Sequence, residues 1–352
     1  MLRKSGFFAF LLAASVLHAD VKSAPPACSF MDSASFFVDG SFLYWYTQED
    51  GMDFALPSAS VTNPSSPPPS LIYAAKSASY QFPDFAYQPG FRAGLGFSSK
   101  PKEWKVFLEY TYLHQQTNTS LGNPPADSRG TAVWSLSNWF GNSYPFTTSG
   151  IATKWRTDLD VLDLSVSYPC FQRKSGMIAP FAGLRGVRLY QNFRVEANVS
   201  SAGIEPAISK NKSTFWGIGP RMGVQGQLFL GAGFRLEASV DGSLVFAEFD
   251  ASHNDNLDIS YSSPDLLTGG TSFKYNDYKT LRFLADMALG AGWKTTFYKS
   301  YYFDLLASYE FFLMPSQNAM RQINNAYDQG IGMVPAGDFT LQGLTIKAMV
   351  GF

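Results

Sequence analysis

The sequence predicts an all-β fold, a transmembrane antiparallel up-and-down β-barrel of about ten strands, with a range of eight to fourteen. Three observations favour it. About ten long segments alternate between apolar and polar residues, the connections between them alternate between long and short, and the chain ends in an alternating strand that closes on Phe352. After the first thirty residues no window approaches 18 consecutive apolar residues, which argues against membrane helices.

The N-terminus has the layout of a secretory signal peptide. Two positive charges precede an apolar run at 7–17, and Ala19 supplies the small residue that a signal peptidase cuts after. The run is too short to cross a bilayer, which takes roughly 20 apolar residues. We therefore expect residues 1–19 to direct export, residues 20–35 to form a periplasmic segment, and residues 36–352 to form one outer-membrane barrel domain.

Composition supports twisted strands and excludes a nucleic-acid partner. The chain has 27 basic and 28 acidic residues, and only 16% of its residues are charged while 16% are aromatic. This balance gives no electrostatic reason to bind nucleic acid. Abundant Phe, Tyr and Gly with only 3 His suit antiparallel strands with aromatic faces.

The predicted strands carry their charges on one face. In the seventh, Arg235, Glu237 and Asp241 alternate with apolar residues. A tilted membrane strand needs ~9–11 residues, with lipid outside and polar groups inside. Alternation alone would also be typical of a soluble β-sandwich. The predicted spans are 36–48, 87–98, 104–116, 154–169, 178–194, 213–230, 234–248, 278–294, 301–313 and 339–352.

The connections distinguish these two folds. Between the predicted strands come about 38, 5, 37, 8, 18, 3, 29, 6 and 25 residues, so long and short connections alternate throughout. A barrel with both termini on the periplasmic side gives this rhythm and requires an even number of strands. The long segments 49–86 and 117–153 leave room for a further hairpin.

The final strand has the pattern of an outer-membrane insertion signal. A terminal aromatic residue follows apolar residues at every second position, which is what the insertion machinery recognises. The residues of this signal are Leu344, Ile346, Ala348, Val350 and Phe352.

We expect the charged faces to project into a lumen. Because both signs occur, the charges either line an aqueous path or pair across it and close it. Ten strands favour a narrow pore at most. The fifth strand reads acceptably in either register, so the facing of Arg185 stays open. The other lumen-lining residues that we predict are Arg92, Glu109, Arg221, Arg235, Glu237, Asp241, Arg282, Asp286, Asp304, Glu310 and Lys347.

The sequence does not predict an enzyme. After the signal peptide the chain has only His114 and His253, which we interpret as solvated residues of the rim and of a polar loop. No His/Cys cluster has metal-ligand spacing, so we expect neither metal nor cofactor. Asp250, Asp255 and Asp258 could contact Ca²⁺, but their spacing is irregular and favours a solvated loop.

Two cysteines fall on the periplasmic side of the predicted barrel. Cys28 precedes the first strand and Cys170 lies in the short turn after the fourth. An oxidising compartment permits a disulfide. Three states stay open, namely an internal bond, a cross-link to a neighbouring envelope protein, and free thiols.

Several stretches resemble the Legionella-type major outer membrane protein family, which also occurs in chlamydia-like bacteria. The stretches are Gly40–Trp45, Gln48–Ala55, Pro89–Gly96, Glu109–Tyr112, Pro180–Gly186, Gly217–Gly223, Leu289–Trp293 and Gly337–Thr345. They touch nearly every predicted strand. The resemblance implies an abundant, porin-like outer-membrane barrel whose exposed loops meet host surfaces, and it supplies no catalytic motif.

Our leading hypothesis is a major outer-membrane protein whose porin-like barrel passes small polar solutes through a charged lumen, with a structural role in the envelope. The alternative is a non-conducting barrel whose extracellular loops act in adhesion or in host and partner binding. Expected partners are outer-membrane lipid and lipopolysaccharide, the insertion machinery, further copies of the chain or disulfide-linked envelope proteins, and host-surface ligands.

Overall fold

Ten long strands make up most of the structure, a computed structural model. It describes residues 35–58, 80–99, 104–121, 129–132, 148–199, 206–255, 272–297, 301–320, 322–323, 332–333 and 337–352. This part of the chain has no helix that is long and apolar enough to cross a membrane. The expected signal peptide and Cys28 lie outside it. The strands are β1 (Ser35–Glu49), β2 (Tyr87–Ser99), β3 (Trp104–Leu121), β4 (Thr148–Ser167), β5 (Gly176–Val199), β6 (Ala207–Gly231), β7 (Phe234–Asp255), β8 (Ser272–Phe297), β9 (Tyr301–Met314) and β10 (Phe339–Gly351).

The ten strands close into one antiparallel barrel. Each strand pairs with its neighbours in the chain, and β1 also pairs with β10, from Phe37 opposite Gly351 to Glu49 opposite Phe339. The terminal residue continues this closure, because Phe352 and Phe36 exchange two backbone hydrogen bonds of 2.9 and 3.0 Å. The predicted fold class is thereby confirmed, with ten strands.

The two ends of the barrel differ in their connections. At the end that carries both termini, here called the inner rim, β6 turns into β7 through the two residues Ala232 and Gly233. Gly231 and Gly233 have φ values of 96° and 84°, which favour glycine. Another short connection of this rim forms a hairpin, because Phe171–Arg173 pairs with the start of β5. The opposite end, here called the outer end, carries the long connections. Two small ladders lie among these, Ala55–Ser58 with Arg129–Ala132 and Gln322–Ile323 with Gly332–Met333.

The wall of the barrel is much taller on one side. Strands β4 to β8 have 20 to 26 residues, whereas β1, β2, β9 and β10 have 13 to 15. At about 3.3 Å per residue and a tilt near 40°, the longest strand rises roughly 65 Å, against an apolar band of about 25 Å in a membrane barrel. The tall side therefore projects far beyond the band at the outer end.

The outside of the barrel is apolar toward the inner rim. Alternate residues of each strand are exposed there, including Phe36, Leu95, Leu164, Met222, Leu236, Phe246, Leu289 and Val350. On β7 this face runs from Phe234 to Phe246, about 13 residues, which is long enough for one tilted crossing of ~9–11 residues. An outer wall of this composition is stable in lipid and not in water.

Candidate functional site in the barrel interior

Charged side chains occupy the inward positions of the strands across the middle of the barrel. Their position follows from the alternation, because the residues on either side of each are exposed or partly exposed on the outer face. All eleven residues named above as lumen-lining have inward positions, and so does Arg185, which is buried. The inward face also holds Asp39 and Asp163, which the sequence interpretation missed.

The first cluster joins five neighbouring strands, β4 to β8, and contains two arginines and three aspartates. Arg185 binds Asp163 with two bonds of 2.7 and 2.8 Å, bonds Asp286, and lies 3.7 Å from Asp241. Arg221 binds Asp241 with two bonds of 2.7 Å and Asp163 at 2.9 Å. Arg185 thus contacts all three carboxylates and Arg221 contacts two of them. These ion pairs and hydrogen bonds offset the loss of hydration of the buried charges.

The second cluster crosses the barrel on the opposite side. Arg92 of β2 lies 3.0 Å from Glu310 of β9, although β1 and β10 separate these strands. Arg92 is also 3.6 Å from Glu109, and Lys347 lies 3.3 Å from Glu109 and 3.6 Å from Asp39. These pairs therefore span the interior and narrow it.

The third cluster lies nearer the inner rim. Arg235 of β7 bonds Asp304 of β9 at 2.9 Å and Glu237 at 3.1 Å. Glu237 also accepts hydrogen bonds from Gln225 and Gln227 of 2.5 and 3.0 Å. Together the three clusters hold five cations and eight anions, a formal net charge of −3, and the inward Arg282 outside the clusters reduces this excess to −2. An interior with this excess attracts cations.

A glycine makes the third cluster possible. Gly292 lies on β8, between the two strands that Arg235 bridges, and is opposite Arg235 in register. A Cβ atom at Gly292 would lie 2.9 Å from the guanidinium carbon of Arg235. The absence of a side chain there lets the guanidinium pass over β8 to Asp304.

Above the charged clusters, toward the outer end, the interior becomes apolar. On the tall strands the inward positions are now large hydrophobic residues, and most of them have 0 or 1% of their surface exposed. We call this the apolar layer. It includes Trp155, Leu159, Leu189, Phe193, Phe215, Phe249, Phe312 and Phe339. The sequence interpretation did not predict this layer, which is a second barrier along the barrel axis.

Two connections enter the barrel and complete the apolar layer. Met52 and Phe54 follow β1 and are fully buried, as is Met320 after β9. The first connection is held by a 2.9 Å backbone bond from Phe54 to Gln81 and by a 3.1 Å bond from the Asn318 amide to the Asp50 carbonyl. The Asp50 amide also donates to the Asp338 carbonyl at 3.0 Å and the Asn318 backbone amide to the Gly337 carbonyl at 3.1 Å, so both entering segments are tied to the start of β10.

A polar row interrupts the apolar layer. Gln115, Thr157, Gln191 and Ser213 are inward neighbours in register on four consecutive strands, β3 to β6. The Gln191 amide donates to the carboxylate of Glu49, which reaches it from β1. Polar side chains therefore continue from one wall of the layer to the other.

The histidines do not form an enzyme-like site in the described part of the chain. His114 bonds Asp158, but this pair lies on the outside of the wall, and Arg156 binds the same carboxylate at 2.9 Å. None of their outward neighbours in register is a Ser or Cys nucleophile. His253 faces inward and lies 2.6 Å from the Asn211 amide oxygen.

The other predicted sites have mixed outcomes. Cys170 is exposed at the inner rim, and because Cys28 is outside the described residues, the disulfide stays a prediction. The residues of the proposed insertion signal all point outward on β10. Among the described residues no cluster of His, Cys, Asp or Glu could hold a metal ion. Asp258 is outside that set, while the Asp250 carboxylate accepts a bond of 3.1 Å from the Asp277 backbone.

A closed antiparallel barrel with an apolar band outside and paired charges inside defines the class of transmembrane β-barrels of bacterial outer membranes. The family model described as the Legionella pneumophila major outer membrane protein precursor matches residues 31–352, and the chain belongs to this family. The family resemblance seen in the sequence is confirmed. The chain is thus an outer-membrane protein, and the inner rim is its periplasmic side.

Comparison with solved structures finds an outer membrane protease, a toluene transporter and a FadL homologue, all at low identity. The outer membrane protease OmpT of Escherichia coli aligns with a TM-score of 0.42 and 10% identity, over 95% of this chain and 99% of that chain. The toluene transporter TodX of Pseudomonas putida aligns with a TM-score of 0.30 and 10% identity, over 91% and 89%. A FadL homologue of Pseudomonas aeruginosa gives 0.31 and 8%, over 93% and 92%. No curated protein matches the chain.

Proposed function

We propose that this outer-membrane protein is a porin-like barrel for small polar solutes, with a narrow lumen that is closed in the conformation described here. The observation that supports this proposal most directly is the stacking of two barriers along one axis, the ion-paired clusters and the apolar layer. Charged rings and hydrophobic constrictions are the two devices that set selectivity and gating in channels.

The charged clusters would set the preference for cations. Each cluster contains one more anion than cations, so a solute that displaces a pair meets a net negative interior. Low-dielectric walls strengthen this field. We therefore expect small cations and neutral polar solutes to pass more readily than anions.

The apolar layer would act as the gate. Backbone ladders hold the wall strands in place. We therefore expect the lumen to open by movement of the entering segments that carry Met52, Phe54 and Met320. Their withdrawal would leave Glu49 and Gln191 as polar side chains that hold water within the layer.

Planar-bilayer conductance of the refolded protein tests this proposal. Met52→Ala with Phe54→Ala removes two fully buried side chains of the apolar layer and should raise the open probability severalfold. Phe246→Ala, which removes an aromatic ring from the outer face, is the matched control and should leave conductance unchanged. If neither the wild type nor the double variant forms channels at any voltage or salt concentration, the pore proposal is wrong.

Ion selectivity tests the role of the clusters separately. Glu310→Gln removes one interior anion while Arg92 keeps Glu109 nearby, so the reversal potential in a KCl gradient should shift toward lower cation preference. Glu248→Gln changes an outward carboxylate of β7 and should leave the potential unchanged. Equal shifts in both variants would exclude the clusters as the selectivity element.

The second candidate function is a non-conducting barrel whose outer loops bind host surfaces or neighbouring proteins. The tight filling of the apolar layer favours it, since a permanently closed interior would leave the loops as the functional part. Cell-binding assays after deletion of 59–69 or 256–271, which keeps the described residues of β7 and β8, test this role, with the conductance measured on the same variants. We propose no catalytic role, and we propose export by residues 1–19.

A further inference from the structure

The outer face of the tall wall carries cations in direct register above the apolar band. Lys154 of β4 is opposite Arg194 of β5, and Arg194 is opposite Lys210 of β6. Side chains in such positions have Cβ atoms roughly 5 Å apart, and like charges directly opposite are destabilising. A row of three cations across three strands therefore requires a source of compensating negative charge.

A second row of cations lies one outward position nearer the apolar band. Arg156, Lys212 and Lys274 alternate across the strands with Asn192 and Ser252. All three cations are exposed, and the small polar residues between them leave their charged groups accessible from outside. The two rows together form a basic surface of six residues over β4 to β8, which we call the basic wall.

The described acids compensate only two of these charges. Glu196 binds Arg194 at 2.9 Å, and Asp158 binds Arg156 at 2.9 Å. Within the described ranges, the four lysines of the basic wall form no ion pair. Their charges therefore remain available to an anion that comes from outside the barrel.

Two shallow grooves give the basic wall its shape. One, of about 320 Å³, is lined by Lys154 and Arg194 together with polar residues of β3 and β4. The other, of about 390 Å³, is lined by Lys212 and Lys274 on one side and by Asp250 and Asp277 on the other, with Tyr190 beside them. The lysines and Arg194 therefore lie at grooves that also contain acids, and an anion would bind at the lysine side of each groove.

The position of the basic wall relative to the apolar band indicates which anion it meets. Trp216 is the last exposed large apolar residue on the outward face of β6, where the partly buried Ile208 lies further out, and Lys212 follows Trp216 by four residues toward the outer end. At about 3.3 Å per residue and a tilt near 40°, the lysine lies roughly 10 Å above the tryptophan. Headgroups occupy about 5–8 Å on each side of the hydrocarbon, and lysine side chains bend toward them.

We propose that the basic wall binds the anionic sugar headgroup of a phosphorylated glycolipid in the outer leaflet. Its acyl chains would lie against the apolar band below, and its phosphates or carboxylates would accept hydrogen bonds from Lys210, Lys212 and Lys274. This binding surface lies on the outside of the barrel and does not depend on whether the lumen conducts.

Lipid binding by the refolded full chain in neutral maltoside micelles tests this proposal. The probes are bisphosphorylated lipid A, dephosphorylated lipid A and inorganic phosphate, and native mass spectrometry counts the bound molecules. We expect the wild type to bind bisphosphorylated lipid A at least tenfold more tightly than the dephosphorylated form. Lys210→Gln with Lys212→Gln and Lys274→Gln should remove most of this difference. Lys105→Gln with Lys174→Gln, at the periplasmic rim, is the control and should retain it.

Three outcomes would overturn the proposal. The first is equal binding of lipid A by the triple variant and the control, and the second is equal binding of the two lipid A forms. In the third, inorganic phosphate at low millimolar concentration displaces lipid A, which would identify a site for free anions. If the triple variant fails to refold, the affinity of the wild type for bisphosphorylated lipid A is measured at increasing salt concentration instead. Affinity for bisphosphorylated lipid A should then fall steeply with salt, and a flat response would refute the role of the lysines.

Discussion

Arg185 is the residue on which the first charged cluster depends, and its replacement gives the most quantitative test of the interior. Its side chain is 2% exposed and forms ion pairs with Asp163, Asp286 and Asp241. Arg185→Met keeps most of the side-chain volume and removes the charge. Arg221 remains bound to Asp163 and Asp241, so the carboxylate left without a cation is that of Asp286.

The cost follows from this geometry. Breaking a buried ion pair by removing one partner destabilises by about 3–5 kcal/mol, because the other charge stays buried. Asp286 is 25% exposed, and Arg221 still compensates the other two aspartates, so we expect the lower end, about 3 kcal/mol. Urea unfolding in lipid vesicles, followed by tryptophan fluorescence, measures it. Arg188→Met changes an exposed outward residue of the same strand and should alter the free energy of unfolding by less than about 0.5 kcal/mol.

A second variant separates charge from packing. Asp286→Asn added to Arg185→Met neutralises the stranded carboxylate and should recover about half of the loss, since coupled neighbours are non-additive. The reasoning fails if Arg185→Met destabilises by less than about 1 kcal/mol, because exposed pairs contribute no more than that. It also fails if the second substitution recovers nothing, since the loss would then come from packing.

Three further predictions concern other parts of the molecule. Burial raises the pKa of the Asp53 carboxyl, so the folded state holds the proton more tightly and wild-type stability falls as pH rises from about 4. In Asp53→Asn the free energy of unfolding, measured by urea at pH 4 and at pH 7, should change less with pH than in the wild type. An equal change in both proteins would contradict the prediction. Gly292→Val should cost about 1–3 kcal/mol by displacing the guanidinium that crosses it, whereas Ala291→Val, on the outward face, should cost little. Non-reducing gels of envelopes, with Cys28→Ser and Cys170→Ser compared, should show faster migration of the wild type if the two thiols pair, a ladder if they cross-link, and no difference if they stay free.

The sequence predicts the strands within the apolar band well, because contact with lipid requires apolar residues on their outer face. On β7 the outward residues from Phe234 to Phe246 are apolar, and the predicted start at 234 is also the observed one. Beyond the band the rule inverts. The outward residues become polar and the inward ones, such as Val245 and Phe249, become apolar. Because the apolar face changes sides, the observed strand runs to Asp255 while the prediction ends at 248.

The sequence predicts that the charged residues of the clusters face inward, but it does not predict which of them form ion pairs. Alternation assigns Arg92 and Glu310 to the inside, but nothing in the sequence indicates that two residues 218 positions apart meet. Which residues share a level depends on the stagger of ten strands, and this becomes visible only in the closed barrel. Asp163 was missed because both faces of β4 are apolar, with Leu159 and Val161 inside and Leu164 outside.

The structure separates charge between its two faces, and this separation can be tested as one property. The interior clusters hold an excess of anions, whereas the basic wall holds six cations with two described acid partners. The side chains of the basic wall point away from the lumen. Headgroups and salt screen their charges there within about 8–10 Å. Neutralising Lys210, Lys212 and Lys274 should therefore weaken glycolipid binding and leave the reversal potential of an open channel unchanged. A shift as large as that of Glu310→Gln would show that the two faces are coupled through the wall, and the separation argued from their positions would be wrong.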